Sequence, residues 1–290
     1  MKPPPFQYHD PTTVAEAVAL LGRLENAKLL AGGQSLMPML NMRFVLPDHV
    51  IDLNRVAGLS YIKDGGGVLE LGAMTRQRDI EFSDVVKAKC PLLHQAVMQI
   101  GHRQTRNRGT IGGSLCHLDP AAELPAVAAG MDATVVVTGP NGQREIAFRD
   151  FPAGFMTPAI EPNEIVTAVR FPLWPAEHKS AFVEFSRRHG DFAIVSAAVL
   201  LEFAGGKISR ASVTLGGIAV APVRAAAVEQ AVVGQAPSSE LFGKACESCR
   251  GIEALSDIHA GADYRQHLAA VLSRRALLRA CGMPTPGALH

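Results

Sequence analysis

The chain is poor in cysteine. It has five in 290 residues: Cys90, Cys116, Cys246, Cys249 and Cys281. An odd, unpatterned set does not make a disulfide framework, so a reducing cytoplasm is the expected location. An excess of one charge is missing too. The formal net charge is +1, whereas nucleic-acid binders carry a marked basic bias. No apolar run reaches the roughly 18 residues of a membrane span. Met1-Lys2-Pro3-Pro4-Pro5-Phe6 has no apolar stretch of the signal-peptide kind. No strand candidate runs into Gly-x-Gly-x-x-Gly, and Gly-x-x-x-x-Gly-Lys-Ser/Thr is absent, which disfavours the two commonest phosphate loops. The chain shows no spaced His/Asp/Glu set for a metal and no nucleophile–base–orienter set for a self-sufficient substrate site.

What is present suits a globular protein. Hydrophobic residues make up 48% and charged residues 19%, enough for a core divided over two or three small domains. Residues 13–24 read as a helix, with Val14, Ala17, Val18 and Leu21 at helical spacing and Thr12 or Thr13 as cap. Strands are expected at 28–31 and 49–53, with a helix starting at Leu36, which makes a small α/β lobe. A second, α+β lobe follows. It has strands at 68–73, 133–138, 144–147 and 164–171, and helices at 79–83 and 92–101. Gly139-Pro140-Asn141-Gly142 marks a hairpin turn. Beyond Pro172-Leu173-Trp174-Pro175, strands at 181–187, 197–203 and 208–215 read as a three-stranded antiparallel sheet turned at Gly205-Gly206. From Arg224 to Cys281 the chain is Ala-rich and reads as helical. The expected division is 1–55, 56–175 and 176–290.

Two glycine pairs stand out. Leu29-Leu30-Ala31-Gly32-Gly33-Gln34-Ser35-Leu36 is one, and Gly109-Thr110-Ile111-Gly112-Gly113-Ser114-Leu115 is the other. Each reads as an apolar strand running into Gly-Gly and then, within two residues, a small hydroxyl residue. Glycine admits close backbone approach and positive φ. Successive exposed N–H groups in such turns make an anion-binding concavity. Two of them can hold the two phosphates of one dinucleotide.

These segments resemble a known family. Ala31-Gly32-Gly33-Gln34-Ser35-Leu36 and Arg106-Asn107-Arg108-Gly109-Thr110-Ile111-Gly112-Gly113-Ser114 are similar to the two FAD pyrophosphate motifs of the medium subunit of molybdenum hydroxylases. Asp119-Pro120-Ala121-Ala122-Glu123-Leu124-Pro125 resembles that family's acidic, proline-flanked segment. Arg187-Arg188-His189-Gly190-Asp191-Phe192-Ala193 resembles the block whose aromatic residue approaches the flavin. The four blocks occur in order across most of the chain.

The resemblance implies an α+β, two-lobed FAD-binding fold of the vanillyl-alcohol oxidase / p-cresol methylhydroxylase type, followed by a C-terminal domain of three antiparallel strands and a helical bundle. It implies an electron-transfer subunit carrying FAD. A small subunit with two [2Fe–2S] clusters would deliver electrons, and a large subunit with molybdopterin cytosine dinucleotide and Mo would hydroxylate the substrate. A dimer of such heterotrimers is expected. The implied cofactor contacts are Leu29 to Leu36 and Thr110 to Ser114, with Ile100, His117, Asp119, Glu123, Ile165, Val166, Asp191 and Phe192. Phe192 stands where that family often has Tyr, and keeps the stacking face without the hydroxyl.

Each of these residues also has a plainer reading. Ser35, Thr110 and Ser114 can cap turns as readily as they donate to phosphate. Asp119 can cap a helix before Pro120 or accept from a ribityl hydroxyl. Arg103, Arg106 and Arg108 can form a solvated face, dock a partner or steady a pyrophosphate. Cys246-Glu247-Ser248-Cys249 reads as buried packing rather than a metal site. The blocks His102-Arg103-Gln104 and Ser256-Asp257-Ile258-His259 lean toward N-heterocycle dehydrogenases. The alternatives are a carbon monoxide dehydrogenase medium subunit, a stand-alone FAD oxidoreductase of the vanillyl-alcohol oxidase type, or a non-enzymatic dinucleotide-binding module.

Overall fold

A computed structural model describes residues 1–285; the last five positions of the third expected division lie outside the described residues. The N-terminal lobe comprises β1 (Gln7–His9), α1 (Val14–Arg23), β2 (Ala27–Leu30), α2 (Leu36–Asn41) and β3 (His49–Asp52). Its three strands pair in parallel in the order β1-β3-β2. Thr13 starts α1 in a capping box. Its hydroxyl accepts from the Glu16 N–H at 3.2 Å, and the Glu16 carboxylate accepts from the Thr13 N–H at 3.3 Å. Ala17 and Val18 of α1 then pack with Ile51, Leu53, Met74 and Ile165.

The second lobe begins with β4 (Ile62–Asp64) and β5 (Val68–Gly72). Six helices follow: α3 (Gln77–Phe82), α4 (Asp84–Lys89), α5 (Pro91–Gln99), α6 (Arg103–Arg108), α7 (Ile111–His117) and α8 (Glu123–Gly130). The strands β6 (Thr134–Gly139), β7 (Gly142–Ala147), β8 (Pro152–Gly154), β9 (Thr157–Pro158) and β10 (Ile165–Pro172) complete it. The main sheet is antiparallel in the order β4-β5-β10-β6-β7. One expectation is overturned here. The second glycine pair does not follow a strand: α6 precedes it, and Gly112 and Gly113 lie inside the first turn of α7. The apolar pattern there is too short to tell strand from buried helix.

The C-terminal part has β11 (Lys179–Phe185), β12 (Val195–Ala204), β13 (Lys207–Gly216) and a fourth, two-residue strand β14 (Val223–Arg224). These pair antiparallel in chain order. The helical stretch thus starts one step later than expected, with α9 (Ala226–Val232), α10 (Ser239–Cys246) and α11 (Ala262–Ala280). Strand β12 is buried on both faces. Ala198 and Leu200 join the core of the second lobe. Val195, Ala197, Val199 and Leu201 join the core made with α9 to α11. Alternation along one strand therefore welds the two units. Small residues let α8 approach β13 closely: the Ser212 hydroxyl donates to the Gly130 carbonyl at 2.6 Å.

Helix α11 does more than cover the sheet. The guanidinium of Arg265, 4% exposed, donates to the carbonyls of Ile194 at 2.5 Å and Gly217 at 2.7 Å, and pairs with Asp257 at 2.6 Å. Ile194 is the C-terminal root of the loop that carries Asp191 and Phe192. Arg265→Met would leave both carbonyls without their charged donor. We expect it to destabilise the chain by about 3 kcal/mol, lowering Tm, and to raise amide exchange across residues 186–194 in hydrogen–deuterium exchange.

Candidate functional site

The fold brings the two glycine pairs together. A Cβ added at Gly32 would lie 2.9 Å from the Arg108 carbonyl carbon and 2.9 Å from Gly109 Cα, so backbone packs directly on backbone. A Cβ at Gly113 would lie 3.5 Å from Ala31 Cβ. Gly33 has φ +75°, the left-handed region that a side chain rarely adopts.

The two halves of this seam differ chemically. In the first turn, no acceptor among the described residues faces the N–H groups of Gly32, Gly33, Gln34, Ser35 and Leu36. In the second, the amides are already engaged. Ile111 N–H donates to Thr75 O at 3.1 Å and Gly112 N–H to Ala73 O at 2.9 Å. Gly113 N–H donates to the Thr110 hydroxyl at 3.1 Å. The expectation of a second row of exposed amides is therefore corrected. Gly112 serves close packing, since a Cβ there would sit 2.6 Å from Ala73 Cβ. The amides without an acceptor among the described residues belong to the first turn, and the second turn forms a wall beside them. The Ser35 and Ser114 hydroxyls make no hydrogen bond among the described residues, and Thr110 caps α7.

The remaining expected contacts fall into two groups. Leu29 and Leu30 lie on β2, and Leu36 opens α2, all half-buried beside the cradle. Ile165 and Val166 open β10; Ile165 shares a cluster with Ala31, and Val166 lies in the adjoining core. Ile100 ends α5 and is buried with Ile111 and Leu115. His117, on the last turn of α7, is held below the usual imidazole range by burial, against the opposing pull of the Asp119 carboxylate. Asp119 accepts from the Ala121 N–H at 2.9 Å, so its local capping role is filled through one oxygen. Asp191 and Phe192 sit apart on the 186–194 loop, with Phe192 57% exposed. That loop leans on the segment before α6: a Cβ at Gly190 would lie 2.5 Å from the His102 imidazole.

The basic cluster splits. Arg106 is buried and serves structure, donating to Glu81 at 2.8 Å and to the Ile100 carbonyl at 3.0 Å. Arg103 and Arg108 have exposed side chains. Cys246 and Cys249 are each 1% exposed within the C-terminal core, and burial pushes both thiols up.

Two groups escaped the sequence reading. Arg76 donates to the Arg108 carbonyl and to Asn54 Oδ1, and Asn54 Nδ2 donates to the Ala31 carbonyl at 3.0 Å. The other is Glu184. Cross-strand register puts it opposite Ser196, and Ser196 opposite Gly216. This face also meets α8, whose first residue, Glu123, is 3% exposed. Burial, then the Glu184 charge, push the Glu123 carboxyl up to about 8. Burial pushes Glu184 up to about 7. Nothing in a lone Arg or Glu marks such positions; only the tertiary register does.

The architecture is that of a flavoprotein: a parallel lobe and an antiparallel lobe meet at a glycine seam, with a sheet-and-helix unit behind. Residues 4–174 match the family model for the FAD binding domain in molybdopterin dehydrogenase. Residues 180–280 match that for the CO dehydrogenase flavoprotein C-terminal domain. The chain therefore belongs to the FAD-binding medium-subunit family of molybdenum hydroxylases, and it is an oxidoreductase subunit.

The sequence is 39% identical to the carbon monoxide dehydrogenase medium chain of Afipia carboxidovorans, over 97% of this chain and 98% of that one. The structure is similar to that of carbon monoxide dehydrogenase from Hydrogenophaga pseudoflava which lacks the Mo-pyranopterin moiety. There the TM-score is 0.94 and the identity 39%, over 97% of this chain and 99% of that one. It is also similar to quinoline 2-oxidoreductase from Pseudomonas putida 86, with TM-score 0.93 and 33% identity, over 97% and 99% of the two chains. Among the described residues, no helix is long and apolar enough to cross a membrane.

Gly32→Ala should force the two turns apart. We expect it to lower FAD occupancy of the purified chain, read from the ratio of flavin absorbance to protein, more than Ser35→Ala does. A second expectation concerns pH. A carboxyl raised on folding favours the folded state fully below its unfolded value of about 4.3. That advantage is lost as pH rises through about 8. The Tm of Glu123→Gln relative to the natural protein should therefore rise steadily from pH 5 to pH 8.

Proposed function

We propose that this chain is the FAD-carrying electron-transfer subunit of a heterotrimeric molybdenum hydroxylase. In this reading it takes electrons from the [2Fe–2S] clusters of a small subunit and passes them to an external acceptor. The seam carries the proposal. Five amide N–H groups without a partner among the described residues stand at a backbone-to-backbone contact between two glycine turns, a donor set that fits the pyrophosphate of FAD. When bound, FAD supplies the two-electron redox chemistry; the protein binds and tunes it.

In this proposal the chain's own residues divide the work. The first turn donates to phosphate, with Ser35 and Ser114 adding hydroxyls. Leu29, Leu30, Ile100, Ile165 and Val166 exclude water. The free oxygen of Asp119 accepts from a ribityl hydroxyl. Phe192, with Asp191 beside it, covers the redox-active ring. The alternative of a stand-alone flavin oxidase requires a larger substrate domain. The C-terminal unit here is filled by its own core, and the similar chains are of the same length.

The finer reading is a dimer of heterotrimers in the cytoplasm, oxidising an N-heterocycle at the molybdopterin subunit. The division proposed is 1–55, 56–175 and 176–290; the three-stranded sheet falls in the first part, the five-stranded sheet and the β8-β9 pair in the second, and the four-stranded sheet in the third. The substrate class rests on the blocks around His102 and Asp257, because the substrate pocket belongs to another chain.

The isolated chain loaded with FAD should turn over no heterocycle. Assembled with its molybdenum and iron–sulfur partners, it should show substrate-dependent bleaching of flavin absorbance without oxygen. Phe192→Ala should slow reoxidation by the acceptor more than it weakens FAD binding. Hydroxylation by the single chain, free of molybdenum and iron, would refute the assignment.

A further inference from the structure

Arg76 is an anomaly at the seam. It lies just after the segment that pairs with the second turn, where Gln77 N–H donates to the Gly109 carbonyl at 2.8 Å. Its guanidinium is half-buried, yet it makes no ion pair among the described residues. The two acceptors it does have are neutral. One is the Arg108 carbonyl, the same group that Gly32 packs against; the other is the Asn54 side-chain oxygen. Asn54 in turn holds the Ala31 carbonyl at 3.0 Å, and it is itself held by Asp52, which caps the Asn54 N–H at 2.9 Å. A single chain of hydrogen bonds therefore runs from the first turn, through Asn54 and Arg76, to the second.

The charge balance is uneven. Burial draws the Arg76 guanidinium below its usual range, and the like charge of Arg108 adds to this. Asp79 and Asp52 oppose it from a distance. Asp52 is already engaged by the Tyr8 hydroxyl at 2.6 Å and by Asn54. A partly desolvated cation with no anion is costly to hold. A guanidinium has five N–H donors in a planar fork suited to phosphate. Only two of these meet acceptors here. Through Asn54 the guanidinium is linked to the Ala31 carbonyl, where the row of amides without acceptors among the described residues begins.

We propose that Arg76 recognises the pyrophosphate of the bound dinucleotide and, tethered by Asn54, sets the spacing of the two glycine turns. This rests on the FAD-binding reading above. Arg76 supplies the charge that neutral amides cannot, and Asn54 supplies only its position. The two roles separate experimentally, because charge makes binding salt-dependent whereas position does not.

The test is titration of the full apo chain with FAD and with ADP at several salt concentrations, followed by fluorescence quenching for FAD and calorimetry for ADP. Arg76→Gln should weaken both ligands about 10- to 100-fold and flatten the dependence of log Kd on log salt. Asn54→Ala should weaken both while keeping the slope of the natural protein. Arg76→Lys should keep the slope at reduced affinity. Failure of the unmodified chain to bind FAD would sink the cofactor reading itself. An unmodified chain that binds, with Arg76→Gln matching it in affinity and slope, would overturn only the role of Arg76. Should Arg76→Gln not fold by circular dichroism, Arg76→Lys decides: a retained slope supports the proposal and a flattened one overturns it.

Discussion

Everything at this site depends on one contact: the backbone of Gly32 lying against the Arg108 carbonyl and Gly109. Two lobes of different construction meet there, one parallel and one antiparallel. Any side chain at Gly32 would hold them apart. The contact also orients the first turn, because the β2 carbonyl end is tied to Asn54 and the second turn is tied to Arg76. The second turn is the more fixed of the two, since Ile111 and Gly112 N–H are bonded to the 73–75 segment and Gly113 N–H to the Thr110 hydroxyl. One glycine pair is thus a rigid wall, and the other is an open cradle set against it.

A second constraint acts at longer range. Strand β12 contributes side chains to two cores at once, so the C-terminal unit cannot slide on the second lobe without disrupting both. This fixes the base of the 186–194 loop, whose far side is fastened by Arg265 and whose middle rests on His102. The helical tail, distant from the seam in sequence, thereby governs where Phe192 stands. Packing and site geometry are not separate tasks in this chain.

Much of this was legible in the sequence, for identifiable reasons. Strands marked by an apolar run bounded by turn residues, such as β12, and turns with Gly-Gly or Pro-Asn-Gly are readable because local chemistry decides them. The first glycine pair is legible as a strand-fed turn because β2 runs directly into it. The second was misread as a strand-fed turn: Thr110-Ile111-Gly112-Gly113 has the same surface pattern, and only pairing with Ala73 and Thr75 shows where its amides go. Arg106 was read with its neighbours as one basic cluster, yet burial against Glu81 takes it out of that set. Arg76 and Glu184 carry no local signal at all. Their meaning arises from partners that tertiary structure brings near.

The open cradle has an energetic consequence. Unpartnered amides cost most when no water reaches them. Here the first turn is only half-buried, so water can satisfy those groups before any ligand arrives. The three cores, meanwhile, are built of apolar side chains, and from the first turn Ala31 packs against one of them. In the proposed reading, stability and ligand recognition are carried by different atoms. Apolar side chains hold the scaffold, and backbone donors with the Arg76 guanidinium would present the site. In that reading the scaffold holds the donors in place before a ligand arrives, and such preformation reduces the ordering cost of binding.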